Sequence, residues 1–201
     1  CLPSKSFFLF CKEMLYRYEY DTRIYSISGF NQQNEWYPDV NDYFFSRLGN
    51  CWGWASWKRC WQDYDVEIKD FDDFKKYNGF ENSLGKDLGK IKNDMIYNGI
   101  VKNQLDSWAL QWGYLRHKNS GLTCIPSKSL IMNIGFGEDA THTKDKLVDK
   151  VSNHDINFPT KINKFVVPDY KYDSLMFKRE SLISRALKKL RNIRNTSYFL
   201  N

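Results

Sequence analysis

Three segments of the chain combine large aromatic rings with residues that can move protons or bind phosphates. They are WGWASW (52–57), LDSWALQW (105–112) and NIGFGEDATHT (133–143). Indole faces suit stacking on the C–H faces of sugar rings, and a carboxylate can take a proton from a hydroxyl. A glycine-rich loop offers backbone donors to a diphosphate. The pattern therefore indicates a cleft that binds sugars and handles protons or phosphates.

Asp106 is the first candidate for a catalytic carboxylate. It lies between Leu105 and Trp108, at the start of a predicted helix. An exposed carboxylate there can deprotonate a sugar hydroxyl if it is ionised near neutral pH and reaches the oxygen. An Asp at this position also commonly stabilises a helix N-terminus, and position alone favours that structural explanation.

The first segment allows two interpretations. In Trp52-Gly53-Trp54, a glycine between two indoles lets the backbone approach a ligand. Core packing explains these two tryptophans equally well. For Trp57 and Trp61, which follow Trp54 at helical spacing, we prefer core packing.

The third segment is typical of a flexible, polar loop. Gly135 and Gly137 are its expected hinges, and Asp139, Thr141 and His142 are its candidate phosphate-facing residues. On its own the segment is a weak signal, because an isolated histidine is more often a surface or packed residue than a ligand.

The hydrophobic pattern predicts helices alternating with a few strands, which indicates an α/β domain with too few strands for a complete doubly wound sheet. The predicted helices are 4–19, a helix from WGWASW to about Gln62, a short helix at Phe71 and Phe74, one through Leu84, Leu88, Ile91 and Met95, one through Leu105, Trp108, Trp112 and Leu115, and 180–195. The predicted strands are 23–28, 43–47, 121–125 and 130–134, and residues 158–172 resemble an extended linker.

The charge of the chain is concentrated at one end. Residues 178–194 hold seven basic residues and one acid, Glu180, which equals the whole formal net charge of +6. The remaining body is close to neutral, which argues against a general nucleic-acid-binding domain.

The predicted final helix, 180–195, carries its apolar residues on one side and its basic residues on the rest. This pattern is typical of a helix lying on anionic lipid. Docking onto the body of the protein or onto a partner helix explains it equally well.

The cysteines favour reduced thiols over disulfides or a zinc site. The count is five, no CxxC pair occurs, and none of the three histidines has ligand spacing to a pair of cysteines. No apolar run reaches the length of a membrane span. The start at Cys1-Leu2-Pro3 leads us to expect a longer natural protein.

Five segments in a fixed order resemble a known family: CLPSKSFFLFC (1–11), ISGFN (27–31), WGWASWKRCW (52–61), DSWALQW (106–112) and NIGFGEDATHT (133–143). Over residues 1–143 the chain resembles the C-terminal half of bacterial nucleotide-diphospho-sugar glycosyltransferases of GT-A fold. These are related to the β-1,2-N-acetylglucosaminyltransferases. Residues 144–177 would then be a linker or extension, and residues 178–201 a basic amphipathic helical tail.

The resemblance implies roles for individual residues. Asp106 matches the region of the catalytic base, which deprotonates the acceptor hydroxyl for attack with inversion. WGWASW resembles the segment that borders donor sugar and acceptor. Trp108 is a further predicted substrate-binding residue. NIGFGEDATHT resembles the loop that closes over the donor, so Thr141 and His142 would face the phosphates.

The resemblance also implies a cofactor, partners and a location. In the family a Glu-Asp-Asp motif that binds Mn²⁺ or Mg²⁺ stands immediately before the residues matching Cys1-Leu2-Pro3, so no metal ligand is expected within this chain. The expected partners are a nucleotide-sugar donor and a glycan or lipid-linked glycan acceptor of surface polysaccharide or lipopolysaccharide synthesis. The expected location is the cytoplasm, at the inner face of the plasma membrane if the 180–195 helix binds lipid.

Two other function classes remain open from the sequence. The aromatic cleft is compatible with a carbohydrate-binding module that has no enzymatic activity. Paired carboxylates such as Asp106 and Asp139 are compatible with a glycoside hydrolase.

Overall fold

The computed structural model of the chain describes residues 1–37, 39–102, 107–135 and 152–178. These residues form two compact units. The first comprises Cys1–Asp63 together with the described residues of 120–169, and the second comprises the described residues of 64–119 and 170–178.

The first unit is built on a mixed sheet of four strands. The strands β2 (Ile24–Ser28), β3 (Tyr43–Ser46), β4 (Trp54–Ala55) and β5 (Leu122–Pro126) are arranged in the order β3-β5-β2-β4. Strands β2 and β5 are parallel, whereas β3 pairs with β5 and β4 pairs with β2 in antiparallel fashion. Strands mixed with helices confirm the predicted α/β class, and the predicted strands 23–28, 43–47 and 121–125 are present.

A second, two-stranded sheet in this unit joins the start of the chain to the fourth predicted strand. Strand β1 (Leu2–Pro3) pairs antiparallel with β6 (Ile131–Met132). The pairs are Leu2 with Met132 and Pro3 with Ile131.

Helix α1 (Lys5–Arg17) packs against the four-stranded sheet. Phe10 and Met14 are fully buried against Ile24, Tyr43 and Phe45 of the strands. Burying side chains of this size stabilises the folded state by about 1.5–3 kcal/mol each. The inner face of α1 is therefore the main attachment of the helix to the sheet.

The residues predicted as an extended linker contain neither helix nor strand over 158–167, and they contact the sheet unit closely. Phe158 and Val166 pack against the main core. Thr160 donates its hydroxyl hydrogen bond to Glu13 over 2.7 Å, and Arg17 bonds both residues. This segment thus forms part of the first unit's fold.

A residue remote in sequence caps the start of α1. Asp155 Oδ1 accepts hydrogen bonds from the Ser6 amide (3.2 Å) and the Ser6 hydroxyl (3.0 Å). A carboxylate at a helix N-terminus satisfies otherwise unpaired amides and interacts favourably with the helix dipole. Asp155 therefore fixes the point at which the chain passes from β1 into α1.

The second unit is helical. It contains α3 (Phe71–Lys76), α4 (Gly79–Leu84), α5 (Lys86–Ile96), a π-helical turn (Tyr97–Val101), α6 (Trp108–Lys118) and helical residues 170–178. Phe71, Phe80, Leu84, Leu88 and Tyr114 are among the residues of its buried core.

Two helices differ from their predicted extents. The predicted helix through Leu84 and Met95 is two helices, because Gly85 takes a left-handed φ of 82° and ends α4. The helix predicted from WGWASW onward is also shorter, since α2 spans only Lys58–Trp61 and Trp54 lies in β4. Pairing with β2 overrides the helical spacing of the tryptophans.

Within the described parts of the chain, the helices are too short or too polar to traverse a bilayer. The predicted 180–195 helix lies outside the described residues.

Candidate functional site

The candidate site begins where the two parallel strands of the sheet end. In α/β sheets, ligands bind outside the carboxyl ends of parallel strands. Strand β2 ends at Ser28 and β5 ends at Pro126. The loops that start after these residues are therefore the first candidates for ligand binding.

A buried asparagine holds these two loops together. The Asn31 side-chain amide donates to the carbonyl oxygens of Pro126 and Ser127, both over 3.0 Å. Its Oδ1 atom accepts from the Gln33 amide over 3.0 Å. Asn31 is fully buried, so these bonds form in a low-dielectric interior and fix the geometry of the strand ends.

Strand β6 is attached at the same edge. The Leu130 amide donates to the Gly29 carbonyl over 2.8 Å, and the Ser4 amide donates to the Leu130 carbonyl over 2.8 Å. The side chain of Ile131, the next residue, is buried. The end of β2, the start of α1 and the start of β6 therefore meet around Leu130.

The Trp52-Gly53-Trp54 segment closes on the same residues. The Gly53 carbonyl accepts a 2.8 Å hydrogen bond from the Gly29 amide. Gly53 has a φ of 64°, and a Cβ built on it would lie 2.4 Å from Ile131 Cδ1. A glycine is thus required at position 53 because the backbone there lies close to the Ile131 side chain. One interpretation of the sequence was that this glycine lets the backbone approach a ligand.

Gly53→Ala is expected to destabilise the protein by about 1–3 kcal/mol, because the added methyl group overlaps Ile131 and φ is left-handed. Urea denaturation followed by circular dichroism measures this change. Gly113→Ala is the control, since a Cβ there meets no atom within 4 Å. Equal midpoints for the Gly53 variant and the unaltered protein would contradict the packing role.

The indoles on either side of Gly53 are both half-buried. The Trp52 ring packs edge-on against Phe30, with ring centroids 5.0 Å apart, and also contacts Ile131. The Trp54 ring lies 5.9 Å from the Trp61 ring. Each indole is thus anchored at one side and keeps part of its surface accessible to a ligand.

Trp57 and Trp61, the next two tryptophans along the chain, differ in their burial. Trp57 packs against the core as predicted, and its Nε1 donates to the Leu15 carbonyl over 3.0 Å. The core position predicted for Trp61 is wrong, because 38% of that residue is exposed and its ring contacts Trp54.

The base of the glycine-rich loop continues directly from β6. The Asn133 side chain accepts a 3.0 Å hydrogen bond from the Gly135 amide, which forms a local turn. Ile134 and Gly135 are both exposed. The predicted loop residues Gly137, Asp139, Thr141 and His142 lie outside the described residues.

Three of the sequence features are thus found around one edge of the first unit: the Trp52–Trp54 segment, the loop base at Asn133–Gly135, and the start of the chain at Cys1. Ile131 connects them, since it contacts Gly53 and Trp52 and pairs with Pro3. Sequence reasoning missed Ile131 and Asn31 as the residues that hold this edge together. The signal for Asn31 was a polar residue three positions after the end of a buried strand.

The remaining predicted site residues are Asp106 and Trp108. Asp106 lies outside the described residues. Trp108 is the first residue of α6 in the second unit, is exposed, and accepts a 3.3 Å hydrogen bond at its carbonyl from Tyr64 Oη. Ser107 occupies the N-cap position of α6, so Asp106 is not the N-cap residue of this helix.

A scan against protein-family models, a search of curated proteins and a search of solved structures each gave no match for this chain.

Proposed function

We propose that the chain is the acceptor-side half of an inverting glycosyltransferase of GT-A fold. It would transfer a sugar from a nucleotide-diphosphate donor to a glycan hydroxyl in bacterial surface polysaccharide synthesis. The observation that carries the proposal is the register of β1 and β6, because it sets the start of the chain beside the base of the glycine-rich loop.

Leu2 pairs with Met132 and Pro3 with Ile131 in antiparallel fashion. Continuing this register by one residue sets Cys1 opposite Asn133, and neighbouring strands lie about 4.8 Å apart. Any residue immediately upstream of Cys1 therefore approaches the loop base, 133–135. In the family that the sequence resembles, the acidic motif and the phosphate-covering loop stand at these two positions.

The half-buried indoles support a sugar subsite next to this edge. Trp52 is held by Phe30 and Ile131, so its orientation is fixed before a ligand arrives. A rigid aromatic surface costs little conformational entropy when a sugar ring stacks on it. This position agrees with the role that the resemblance gives to WGWASW.

The proposal places the metal ion outside the described residues. Among the described residues, no group of three or more His, Cys, Asp or Glu side chains could hold a metal ion. The described residues therefore do not form a Mn²⁺ or Mg²⁺ site, and the proposal assigns the metal to residues that precede Cys1.

The chain's own residues would perform two tasks. The carboxylate of Asp106 accepts the proton of the acceptor hydroxyl while that oxygen bonds to the anomeric carbon. The bond from this carbon to the donor phosphate oxygen breaks, and the nucleoside diphosphate leaves. Backbone and side-chain donors of the loop that includes Thr141 and His142 contact the phosphate oxygens and stabilise their negative charge.

The test is a donor screen on the natural protein, including its sequence upstream of Cys1. UDP-, GDP- and dTDP-sugars are supplied with Mn²⁺ and a lipopolysaccharide acceptor, and release of the nucleoside diphosphate is measured. We expect release from one donor class that depends on the acceptor and stops on addition of EDTA.

The same assay separates the alternatives. Release of sugar from a glycan without any nucleotide donor would replace the proposal with a glycoside hydrolase. Saturable glycan binding with no turnover of any donor would replace it with a carbohydrate-binding module.

A further inference from the structure

The outer face of α1 combines exposed apolar side chains with unpaired positive charge. Phe8, Leu9 and Tyr16 are 64%, 54% and 84% exposed. Lys5 and Lys12 are exposed as well. At about 3.6 residues per turn, these five side chains fall within roughly 100° of the helix circumference. They therefore form one continuous face, which we call the α1 outer face.

This face is unusual for a helix that only has to cover a sheet. Phe10 and Met14, on the opposite side of α1, already bury the apolar stripe that attaches it to the core. Phe8 contacts the neighbouring Phe7 ring, with ring centroids 5.1 Å apart, but most of the surface of Phe8, Leu9 and Tyr16 stays exposed. Exposed apolar patches of this kind mark interaction surfaces, so the α1 outer face is a candidate interaction surface.

The charges on the face indicate which kind of surface it meets. The one acidic residue of α1, Glu13, bonds Arg17 and Thr160 away from the face. Neither Lys5 nor Lys12 forms an ion pair with any residue in the described ranges. The face is therefore purely cationic and apolar, which complements an anionic partner.

We propose that the α1 outer face binds the surface of an anionic lipid membrane. Phe8 and Leu9 enter the boundary between headgroups and acyl chains, as the apolar face of an interfacial helix does. Tyr16 lies at headgroup level, where its ring and hydroxyl are both accommodated. Lys5 and Lys12 extend their ammonium groups to lipid phosphates while their alkyl stems cover apolar surface.

A second copy of the chain fits the face less well. A twofold dimer places the same patch of both subunits in contact. It would bring Lys5 and Lys12 toward their symmetry mates without an acid on the face to offset them, and like charges across an interface oppose binding. A membrane presents many phosphates and has no such conflict.

The experiment measures partitioning of the 201-residue chain onto vesicles by flotation. Vesicles of phosphatidylcholine alone are compared with vesicles containing phosphatidylglycerol. Phe8→Ser with Leu9→Ser is expected to lower the partition coefficient for the anionic vesicles at least tenfold. Both residues are exposed, so the melting temperature should stay unchanged. Because free energies of partitioning add within one molecule, the loss is measurable even if another segment also binds lipid.

Two further variants make the result specific. Lys5→Gln with Lys12→Gln should weaken binding about fivefold per lysine and reduce its dependence on salt. Ile162→Ser with Phe165→Ser removes similar apolar surface elsewhere in the first unit, since both residues are 71% exposed, and should change binding less than twofold.

Three results would overturn the proposal. One is equal partitioning of the Phe8/Leu9 and Ile162/Phe165 variants. Another is a concentration-dependent dimer, seen by analytical ultracentrifugation, that the Phe8/Leu9 variant abolishes. The third is protection of Phe8 and Leu9 from hydroxyl-radical footprinting in the natural protein without lipid, which would assign the face to another segment of that protein.

Discussion

Asp106→Asn is expected to lower sugar transfer by about 10²–10⁴-fold, because the variant keeps the size of the side chain but cannot accept a proton from the acceptor hydroxyl. The measurement is kcat of the natural protein with the nucleotide sugar found in the donor screen. Binding of that donor should change little, because the proposed task of Asp106 concerns the acceptor. A loss confined to kcat is typical of an interaction made in the transition state.

The pH dependence of the reaction gives an independent readout for this residue. A catalytic base works only in its ionised form, so the rate should rise with pH over the acidic range and then level off. In the Asp106→Asn variant this rise should be absent. A residue that only supports the helix would leave the shape of the profile unchanged.

Ser107→Ala is the matched control for this experiment. Ser107 is the N-cap residue of α6, and its side chain makes no capping hydrogen bond. Its removal should therefore cost less than about 1 kcal/mol of stability and leave kcat within a few-fold. If instead Asp106→Asn retains full turnover and lowers only the melting temperature, Asp106 is structural and the catalytic assignment is wrong.

The parts of the fold that depend on local patterns could be predicted from the sequence. The apolar stripe of Phe7, Phe8, Cys11, Leu15 and Tyr18 predicts a helix over 4–19, and α1 follows this extent to within two residues at each end. The face is predicted less well, because Phe8 is 64% exposed and the most deeply buried side chains are Phe10 and Met14. Runs of apolar residues likewise identified β2, β3 and β5. These strands are buried almost throughout, so their apolar content identifies them without a regular alternation.

The errors arose where contacts remote in sequence decide the structure. Trp54, Trp57 and Trp61 have helical spacing, but Trp54 pairs with Ser28 in a strand. The apolar series Leu84–Leu88 continues across a break that the backbone of Gly85 imposes. Periodicity counts apolar residues and does not detect a left-handed glycine or a strand partner.

The segments of the candidate site could be predicted from the sequence, but the residue that holds them together could not. The Trp52–Trp54 segment and the Asn133–Gly135 loop base were chosen from the sequence, and both adjoin Ile131. Ile131 itself is an ordinary apolar residue in the sequence. Its importance comes from the close approach of Gly53, which only the folded chain shows.

Asp173→Asn is expected to destabilise the protein by about 3–5 kcal/mol, the largest stability effect we expect for a single substitution. Arg116, on α6, is 4% exposed, and Asp173, on helical residues 170–178, is 1% exposed. Burial lowers the pKa of Arg116 to about 10, and the charge of Asp173 opposes this change. Removing the carboxylate leaves a guanidinium in the interior without the negative charge that offsets its desolvation.

A double-mutant cycle tests whether the two charges act as a pair. The partner substitution is Arg116→Met, and the double variant Arg116→Met with Asp173→Asn should be more stable than the sum of the two single effects predicts, because it leaves no buried charge. Urea denaturation of the four proteins gives the coupling free energy.

Asp73→Asn is the control, since its ion pair with Lys76 is exposed, with side chains 83% and 77% accessible. It should cost less than about 1 kcal/mol. If Asp173→Asn costs no more than Asp73→Asn, the interior charge of Arg116 does not depend on Asp173, and the attachment of helical residues 170–178 to α6 has another origin.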